Sequence, residues 1–374
     1  MLKIGIIGAG LRSQVASHWQ REDSRSKIVG VADINEEKLH NFKQKFGEDL
    51  YATTDYKDLL AQSNIDAVAI LSPDYLHEEH ILEALKAGKH VYAEKPLAIT
   101  TEGCDRILAA EKKYGKKVMI GFNMRYMSLY QTMKELIEQG TIGDLKAVWV
   151  RHFVGWGGYF YYHDWHGLSK NTTSLLLQKA SHDIDVIHWI TGKYTEKVVG
   201  FGSLDYFGGN EPNDLTCVKC SKKETCPEYS PHTLIECAFR EEIDVEDNSV
   251  VIMQLQGGIK ASYMQCHFTP DYSRNYVFIG TKGRIESNDL EEEIYVKTRK
   301  TGDIFEMSNV TYKMKPEKGG HGGADPKITE DFVNYVLDGK VPRASLLDGR
   351  MGVAVGCGAW QSIGEGGTFQ NIGY

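Results

Sequence analysis

Leu2-Lys3-Ile4-Gly5-Ile6-Ile7-Gly8-Ala9-Gly10-Leu11-Arg12-Ser13 decides how the rest of the chain is read. The apolar run reads as a buried strand that breaks at two closely spaced glycines. From Leu11 through Trp19 the pattern reads as a helix. A strand, a glycine turn and a helix in that order make a place for an anion. Gly8 permits the tight turn, and Gly10 lets the backbone come close to a pyrophosphate. The free N–H groups at the helix start, with the positive end of its dipole, face the negative charge. Gly8, Gly10, Leu11 and Arg12 are therefore the first candidate cofactor residues. Ser13 stands where a third glycine is usual and is small enough for close helix–strand packing. Such a loop alone is a weak signal; its context strengthens it.

The next strand, Lys27–Ala32, ends at Asp33, where an acid would hold the ribose hydroxyls of a dinucleotide. Ile34 and Asn35 follow, with no Arg or Lys to meet a 2′-phosphate. The expected cofactor is NAD rather than NADP. The plainer alternative is that Asp33 merely caps the helix Glu36–Phe46. Beyond it come the near-continuous apolar run Ile65–Leu71, helix His77–Ala87 stopped by Gly88, strand His90–Ala93, helix Thr101–Tyr114 stopped by Gly115, and strand Lys117–Phe122. Strands alternating with helices imply right-handed crossovers and a parallel sheet. Residues 1–123 are expected to form a doubly wound, Rossmann-type domain.

After Tyr126–Gln139 the pattern changes. Longer runs of β-branched and aromatic residues appear at Leu145–Phe153, Ser249–Gln256, Ile259–Phe268 and Asn275–Ile279, with Gly257-Gly258 as a hairpin turn. Helices are expected at Leu176–Ile190, Asp325–Leu337 and Leu346–Ile363. Residues 124–374 thus read as an α+β substrate-binding and oligomerisation domain with a large, mostly antiparallel sheet. The fold class is α/β overall.

The 374 residues suit two domains, and the formal charge of −8 is spread without a basic stripe. That excludes the electrostatic footprint of a nucleic-acid binder and disfavours anionic membranes. The N-terminus lacks a secretory pattern and no apolar run approaches the ~20 residues of a membrane span, so a cytoplasmic protein is expected. The seven cysteines read as reduced thiols. Cys217, Cys220 and Cys226 are clustered in an insertion poor in apolar residues. Their spacing could hold a zinc ion or an iron–sulfur centre, with Cys237 or His232 as fourth ligand, but free thiols or a redox pair are the preferred reading and no metal is expected.

Three later motifs carry a resemblance. Ser72-Pro73-Asp74-Tyr75-Leu76-His77, Val91-Tyr92-Ala93-Glu94-Lys95-Pro96-Leu97 and Gly121-Phe122-Asn123-Met124-Arg125-Tyr126 each follow a strand. In this order they resemble the glucose–fructose oxidoreductase and inositol dehydrogenase family, often called Gfo/Idh/MocA. The resemblance implies that Lys95 lies near the nicotinamide and the reacting carbon, and Glu94 near the nicotinamide ribose. It implies that Ser72, Pro73, His77 and Asn123 line the nicotinamide end of the cleft. A lysine there can steady a developing alkoxide or help move a proton.

On the substrate side the family places an acid four residues before a histidine, on one helical face. In Gln178-Lys179-Ala180-Ser181-His182-Asp183 the histidine is His182, but the acid position is Gln178. His182 is the expected base, with Lys179 as its tuner or as a substrate ligand: a neighbouring cation would keep the imidazole neutral. Arg125, Tyr126, His152, Trp165 and Asp183 are candidate substrate residues. The stretch from His152 to Trp165, crowded with aromatic side chains, could be a substrate lid, an oligomer contact or a packed aromatic loop. His321 could reach the cleft, and Asp325 reads as the N-cap of its helix. Trp165 followed by Lys179-x-x-His182 also resembles the family's NAD-dependent N-acetylgalactosaminidases, although Thr172-Thr173-Ser174 departs from their usual Ser-Gly-Gly. The expected activity is hydride transfer between nicotinamide and a secondary hydroxyl of a sugar or polyol, by a homo-dimer or homo-tetramer. The alternatives are glycoside cleavage through transient oxidation and elimination, and a non-catalytic NAD sensor.

Overall fold

The computed structural model describes every residue except 21–24, 156, 232–234 and 300–301. The chain forms two compact units. One comprises Met1–Gln131 with Pro316–Val353, the other Thr132–Lys315 with Ala354–Tyr374.

The first unit is built on a six-stranded parallel sheet of β1 (Leu2–Ile7), β2 (Ser26–Ala32), β3 (Tyr51–Thr53), β4 (Ala67–Ile70), β5 (His90–Ala93) and β6 (Val118–Ile120), in the order β3-β2-β1-β4-β5-β6. The order reverses between β1 and β4, which opens a crevice beyond their C-terminal ends. Strands covered on both faces must be apolar throughout, and Ala67, Val68, Ala69 and Ile70 are all fully buried. The helices Glu36–Phe46 and Thr101–Tyr114 lie where the sequence places them. Asn35 accepts from Lys38 N, Thr100 accepts from Gly103 N, and Gly115 ends the second helix at φ 63°. Each such cap stabilises its helix by about 1 kcal/mol.

Three features depart from the sequence reading. The short strand β3 and the helix Tyr56–Leu60 were not expected; three and five residues are too few to carry a periodic signal. Leu11–His18 is a 3-10 helix rather than an α-helix. Pro316–Val353 joins this unit, not the second domain. The physical reason is Trp19: its ring is fully buried, edge-on to Tyr92 and Phe332, and its Nε1 donates to Thr329 O at 3.1 Å. Burying a side chain of this size contributes about 2–3 kcal/mol or more, and the late helix Gly320–Asp338 brings Phe332 and Thr329 to that pocket.

The second unit holds a nine-stranded sheet: β7 (Leu145–Phe153), β8 (Thr195–Ser203), β9 (Asn248–Leu255), β10 (Lys260–Cys266), β11 (Ser273–Gly280), β12 (Gly283–Asn288), β13 (Glu293–Thr298), β14 (Val310–Lys313) and β15 (Gln370–Asn371). The order is β14-β13-β12-β11-β7-β10-β9-β8-β15, and the pairing is antiparallel except between β7 and β10. Gly257 and Gly258 turn the β9–β10 hairpin with φ of 74° and 76°, a conformation that favours glycine. β8 and the strands from β12 onward were not anticipated. In β9 Val251, Met253 and Leu255 are buried while Val250 and Ile252 are exposed. One face of the sheet is covered and the other is apolar yet open. The helix Leu175–Thr191 starts at Ser174, whose side chain accepts from Leu177 N at 2.9 Å, and ends at Gly192. Gly356 lets it pack closely, since a Cβ there would come within 2.9 Å of Leu177 Cα. No described helix is long and apolar enough to cross a membrane.

Candidate functional site in two halves

The first unit carries a cofactor half. Gly8 takes φ 99°, and a Cβ there would lie 2.7 Å from the Leu71 carbonyl. Only glycine lets β1 end this close to β4. A Cβ at Gly10 would meet nothing within 4 Å, so open space lies beside the turn where a diphosphate would approach. Asp33 Oδ2 accepts from Ala9 N at 2.7 Å, inside the turn, and its Oδ1 accepts from Asn35 N at 2.9 Å. Asn35, not Asp33, caps the helix that follows. Asp33 therefore ties the end of β2 to the glycine turn. These residues fit a bound dinucleotide.

Arg12 extends from the turn into a cluster of acids. Its Nε donates to Glu94 at 2.6 Å, and its two terminal nitrogens meet Asp325 at 2.9 and 3.0 Å. These acids raise the guanidinium pKa against the opposing effect of burial. The same contacts hold the Asp325 carboxyl well below the usual range although burial opposes it. His321 Nδ1 lies 3.1 Å from Asp325 and 3.2 Å from Arg12. The expectation that Asp325 caps its helix is corrected: His321, Gly322 and Gly323 have left-handed backbone, and the carboxylate is given to Arg12 and His321 instead.

Glu94, Lys95 and Pro96 follow β5, with a cis bond between Lys95 and Pro96. Glu94 is nearly buried and also accepts from Tyr92 Oη at 3.2 Å. A Cβ at Gly121 would come within 2.9 Å of Tyr92 Oη and 3.1 Å of Glu94 Oε2, so a glycine after β6 is what leaves room for Glu94. Buried His77 joins two of the motifs: one ring nitrogen meets Pro96 O at 2.6 Å and the other Ser72 O at 2.9 Å. Ser72 Oγ in turn lies 2.9 Å from His80, whose pKa burial pushes down to about 4. Pro73 starts the turn Asp74–Leu76, and Asn123 is buried after β6. Arg125 and Tyr126, expected at the substrate, are buried and occupied within this unit. Arg125 pairs with Asp348 at 3.0 Å, and Tyr126 donates to Asp331.

The second unit carries a polar cluster of its own, on the helix Leu175–Thr191 and the covered face of its sheet. Asp183 is fully buried. It meets Arg274 at 3.2 Å, His152 at 3.1 Å, Tyr263 Oη at 3.0 Å, and also the Tyr276 hydroxyl. Burial would raise its pKa, but Arg274 and these hydrogen bonds reverse that and keep it ionised. His152 is pushed down to about 3, by burial first and by Arg274 next, and is neutral. Asp183 and His152 thus bind to each other and to the sheet rather than standing clear for a substrate. Tyr263 Oη also lies 2.8 Å from Gln265 Oε1, and Gln265 Nε2 lies 2.8 Å from His267.

Lys179 donates to Tyr161 Oη at 2.8 Å and sits 5.9 Å from the Tyr272 ring. Burial pushes its pKa below the ordinary lysine value. Its described partners are thus phenol groups. His182, half-buried, follows one turn later on the same helix, and Gln178 is buried. The ring of Trp165 stacks on His166 at 3.6 Å, and Asp164 bonds to His166 at 2.6 Å. Tyr159 and Phe160 are exposed, whereas Tyr162 is fully buried against Phe207. Trp156 lies outside the described residues.

Sequence reasoning missed Tyr263, Gln265, Tyr272, Arg274 and Tyr276. A signal was present: Tyr263 with Gln265, and Arg274 with Tyr276, occupy alternate positions of strands, and three of the four are almost wholly buried. Polar side chains on the covered face of a strand need partners, and the register sets His152 beside both Gln265 and Arg274.

Cys217, Cys220, Cys226 and Cys237 line one small pocket with His163. No disulfide joins any of the seven cysteines. Burial, and then the neighbouring thiols, raise the pKa values of Cys217 and Cys237. Among the described residues no three His, Cys, Asp or Glu side chains already stand as a set of metal ligands, and His232 lies outside those residues.

A parallel sheet whose glycine turn is closed by the acid that follows β2 defines a dinucleotide-binding α/β protein. Comparison with known families makes the class definite. Residues 2–122 match the model of the oxidoreductase family NAD-binding Rossmann fold, and residues 134–370 match that family's C-terminal alpha/beta domain. The chain belongs to the Gfo/Idh/MocA oxidoreductase family, and it is an NAD-dependent oxidoreductase. It is 28% identical to YteT of Bacillus subtilis over an alignment of 413 positions, covering 96% of each chain. It is 24% identical to the myo-inositol 2-dehydrogenase of Thermotoga maritima, covering 97% of each. Among solved structures, levoglucosan dehydrogenase in complex with NADH and levoglucosan superposes with a TM-score of 0.81 over the whole of both chains at 20% identity, a likeness of fold.

Proposed function

We propose that this chain oxidises a secondary hydroxyl of a sugar or polyol, or reduces the corresponding ketone. The observation that carries the reading is the Ala9 N to Asp33 contact of 2.7 Å, which sets an acid beside an open glycine turn. Bound NAD would supply the two-electron acceptor; Gly8, Gly10, Arg12, Asp33, Ser72, Pro73, His77, Glu94 and Asn123 are the residues that would hold it. In this reading Lys95 steadies the charge that grows on the substrate oxygen, and His182 takes the hydroxyl proton. Lys179 orients substrate hydroxyls together with Tyr161, and Trp165 offers an aromatic face to a sugar ring. The names of relatives support the substrate class: they include inositol dehydrogenases from several bacteria. The protein acts in the cytoplasm as a homo-dimer or homo-tetramer, a reading supported by cysteines that form no disulfide and by exposed Trp149, Phe201, Val250 and Ile252 on the sheet of the second unit.

The test is proton NMR of a panel of inositols, sugars and glycosides with enzyme and NAD, beside the variant Lys95→Ala. Expected is accumulation of reduced cofactor with a ketone product, abolished by the variant while NAD binding persists. Glycosidic cleavage without net reduction would replace this reading with oxidation–elimination. A fully active Lys95→Ala enzyme would remove Lys95 from the chemistry.

A further inference from the structure

We propose that Cys217, Cys220, Cys226 and Cys237 form a structural zinc site that staples the insertion to the aromatic segment bearing Tyr161. The four thiols come from different turns of the chain and converge on one pocket. An isolated antiparallel bridge joins Thr216 and Glu236, with Cys217 N donating to Ile235 O at 3.1 Å and Cys237 N to Leu215 O at 2.8 Å. Cys217 and Cys237 are therefore one step from the bridge on either strand, on its same face. A tight turn brings Cys220 back, its N donating to Cys217 O at 3.2 Å. The loop then coils so that Cys226 N donates to Lys222 O.

Between Glu211 and Ile235 the buried side chains among the described residues are those of Cys217 and Ser230. An irregular stretch with so few buried side chains among its described residues gains stability from a covalent or metal staple. No disulfide supplies one, which leaves the metal.

The surroundings suit bound thiolates. Lys222 N points at Cys220 Sγ and Phe239 N at Cys237 Sγ, both at 3.4 Å, each two residues beyond its cysteine. Backbone donors so placed hold a metal-bound sulfur and spread its charge. His163 is not the missing ligand, because its ring nitrogens are engaged by Glu236 O at 2.5 Å and Glu228 O at 2.9 Å. The ring lies 3.8 Å from Cys217 Sγ. Lys223 lines the same pocket. Zinc with four thiolates carries two negative charges, which this lysine opposes.

The side chains do not yet form a ligand set. A tetrahedral site with zinc–sulfur bonds of about 2.3 Å needs sulfurs about 3.8 Å apart. Cys220 and Cys226 are only half-buried, so they can turn to that distance without disturbing a packed core. Through His163 the staple would reach the segment that presents Tyr161 to Lys179. Glu228 is seated against Gly158 of that segment, where a Cβ would come within 2.0 Å of its Oε2.

The experiment is metal analysis of the full chain purified without chelator, then incubated with zinc and dialysed. Expected is one zinc per chain, released by a mercurial in step with thiol titration. Exchange for cobalt should give thiolate charge-transfer bands and the visible bands of a tetrahedral ion. Cys226→Ser and Cys237→Ser should lose the metal while Cys357→Ser keeps it, and all three should still bind NAD. Folded protein that takes up no zinc would overturn the proposal, as would iron with the colour of an iron–sulfur centre. Should the serine variants fail to fold, the metal content and cobalt spectrum of the unaltered chain decide.

Discussion

Arg12 and Asp325 stand 313 positions apart in the chain and meet in a two-pronged ion pair of 2.9 and 3.0 Å. The pair fastens the glycine turn to the late helix Gly320–Asp338, and Glu94 shares the same guanidinium at 2.6 Å. Asp325→Asn keeps the shape and removes the charge. It is expected to weaken NAD about tenfold and to lower stability by about 3 kcal/mol, as read by calorimetric titration and denaturant unfolding. Unchanged affinity would show that the pair does not position the turn.

Asp33 is expected to set cofactor choice. A carboxylate there accepts from ribose hydroxyls and repels a 2′-phosphate. In Asp33→Ala the NAD dissociation constant should rise about tenfold or more while that of NADP changes little or falls. Equal losses for both cofactors would reduce Asp33 to a support of Ala9, whose N–H it accepts at 2.7 Å.

Asp183 should be a stability residue first and a site residue second. Its replacement by Asn leaves Arg274 and three further partners arranged around a missing charge. The cost should be about 3–5 kcal/mol in the second unit, measured as a shift of the denaturant midpoint. A variant of unchanged stability that loses only substrate affinity would return Asp183 to the substrate.

Glu246 gives a pH signature. Its Oε1 accepts from Leu176 N at the start of the helix that carries Lys179 and His182, and burial pushes its pKa up to about 8. In the unfolded chain the group ionises near the ordinary value, so between roughly pH 4.5 and 8 the folded state holds a proton that the unfolded state has released. Stability should therefore be full below that window and fall as pH rises through it, with a slope of up to about 1.4 kcal/mol per pH unit from this group. Glu246→Gln should flatten the profile and be the more stable protein at pH 8. Parallel profiles for the two proteins would show that Glu246 is ionised throughout.

How much of this was legible in the sequence follows from the range of the forces involved. Gly8, Gly10 and Asp33 were readable because a turn at positive φ and an acid at the end of the next strand are local demands on residue type. The strands of the first sheet were readable because burial on both faces makes them apolar throughout. The hairpin at Gly257-Gly258 was readable for the same local reason. The sequence by itself thus determined the parallel sheet, the cofactor turn and the family motifs that follow β4, β5 and β6. Only the tertiary structure decided that Pro316–Val353 returns to the first unit, because the reason is a pocket around Trp19 shared with Phe332 and Thr329. It alone decided that Arg125 and Tyr126 are spent on Asp348 and Asp331, and that Asp183 is held by Arg274 and two tyrosines. A charge such as Asp183, buried among tyrosines 80 and 93 positions away, leaves no periodicity to read; its ionisation is set by who surrounds it, and that is a property of the fold.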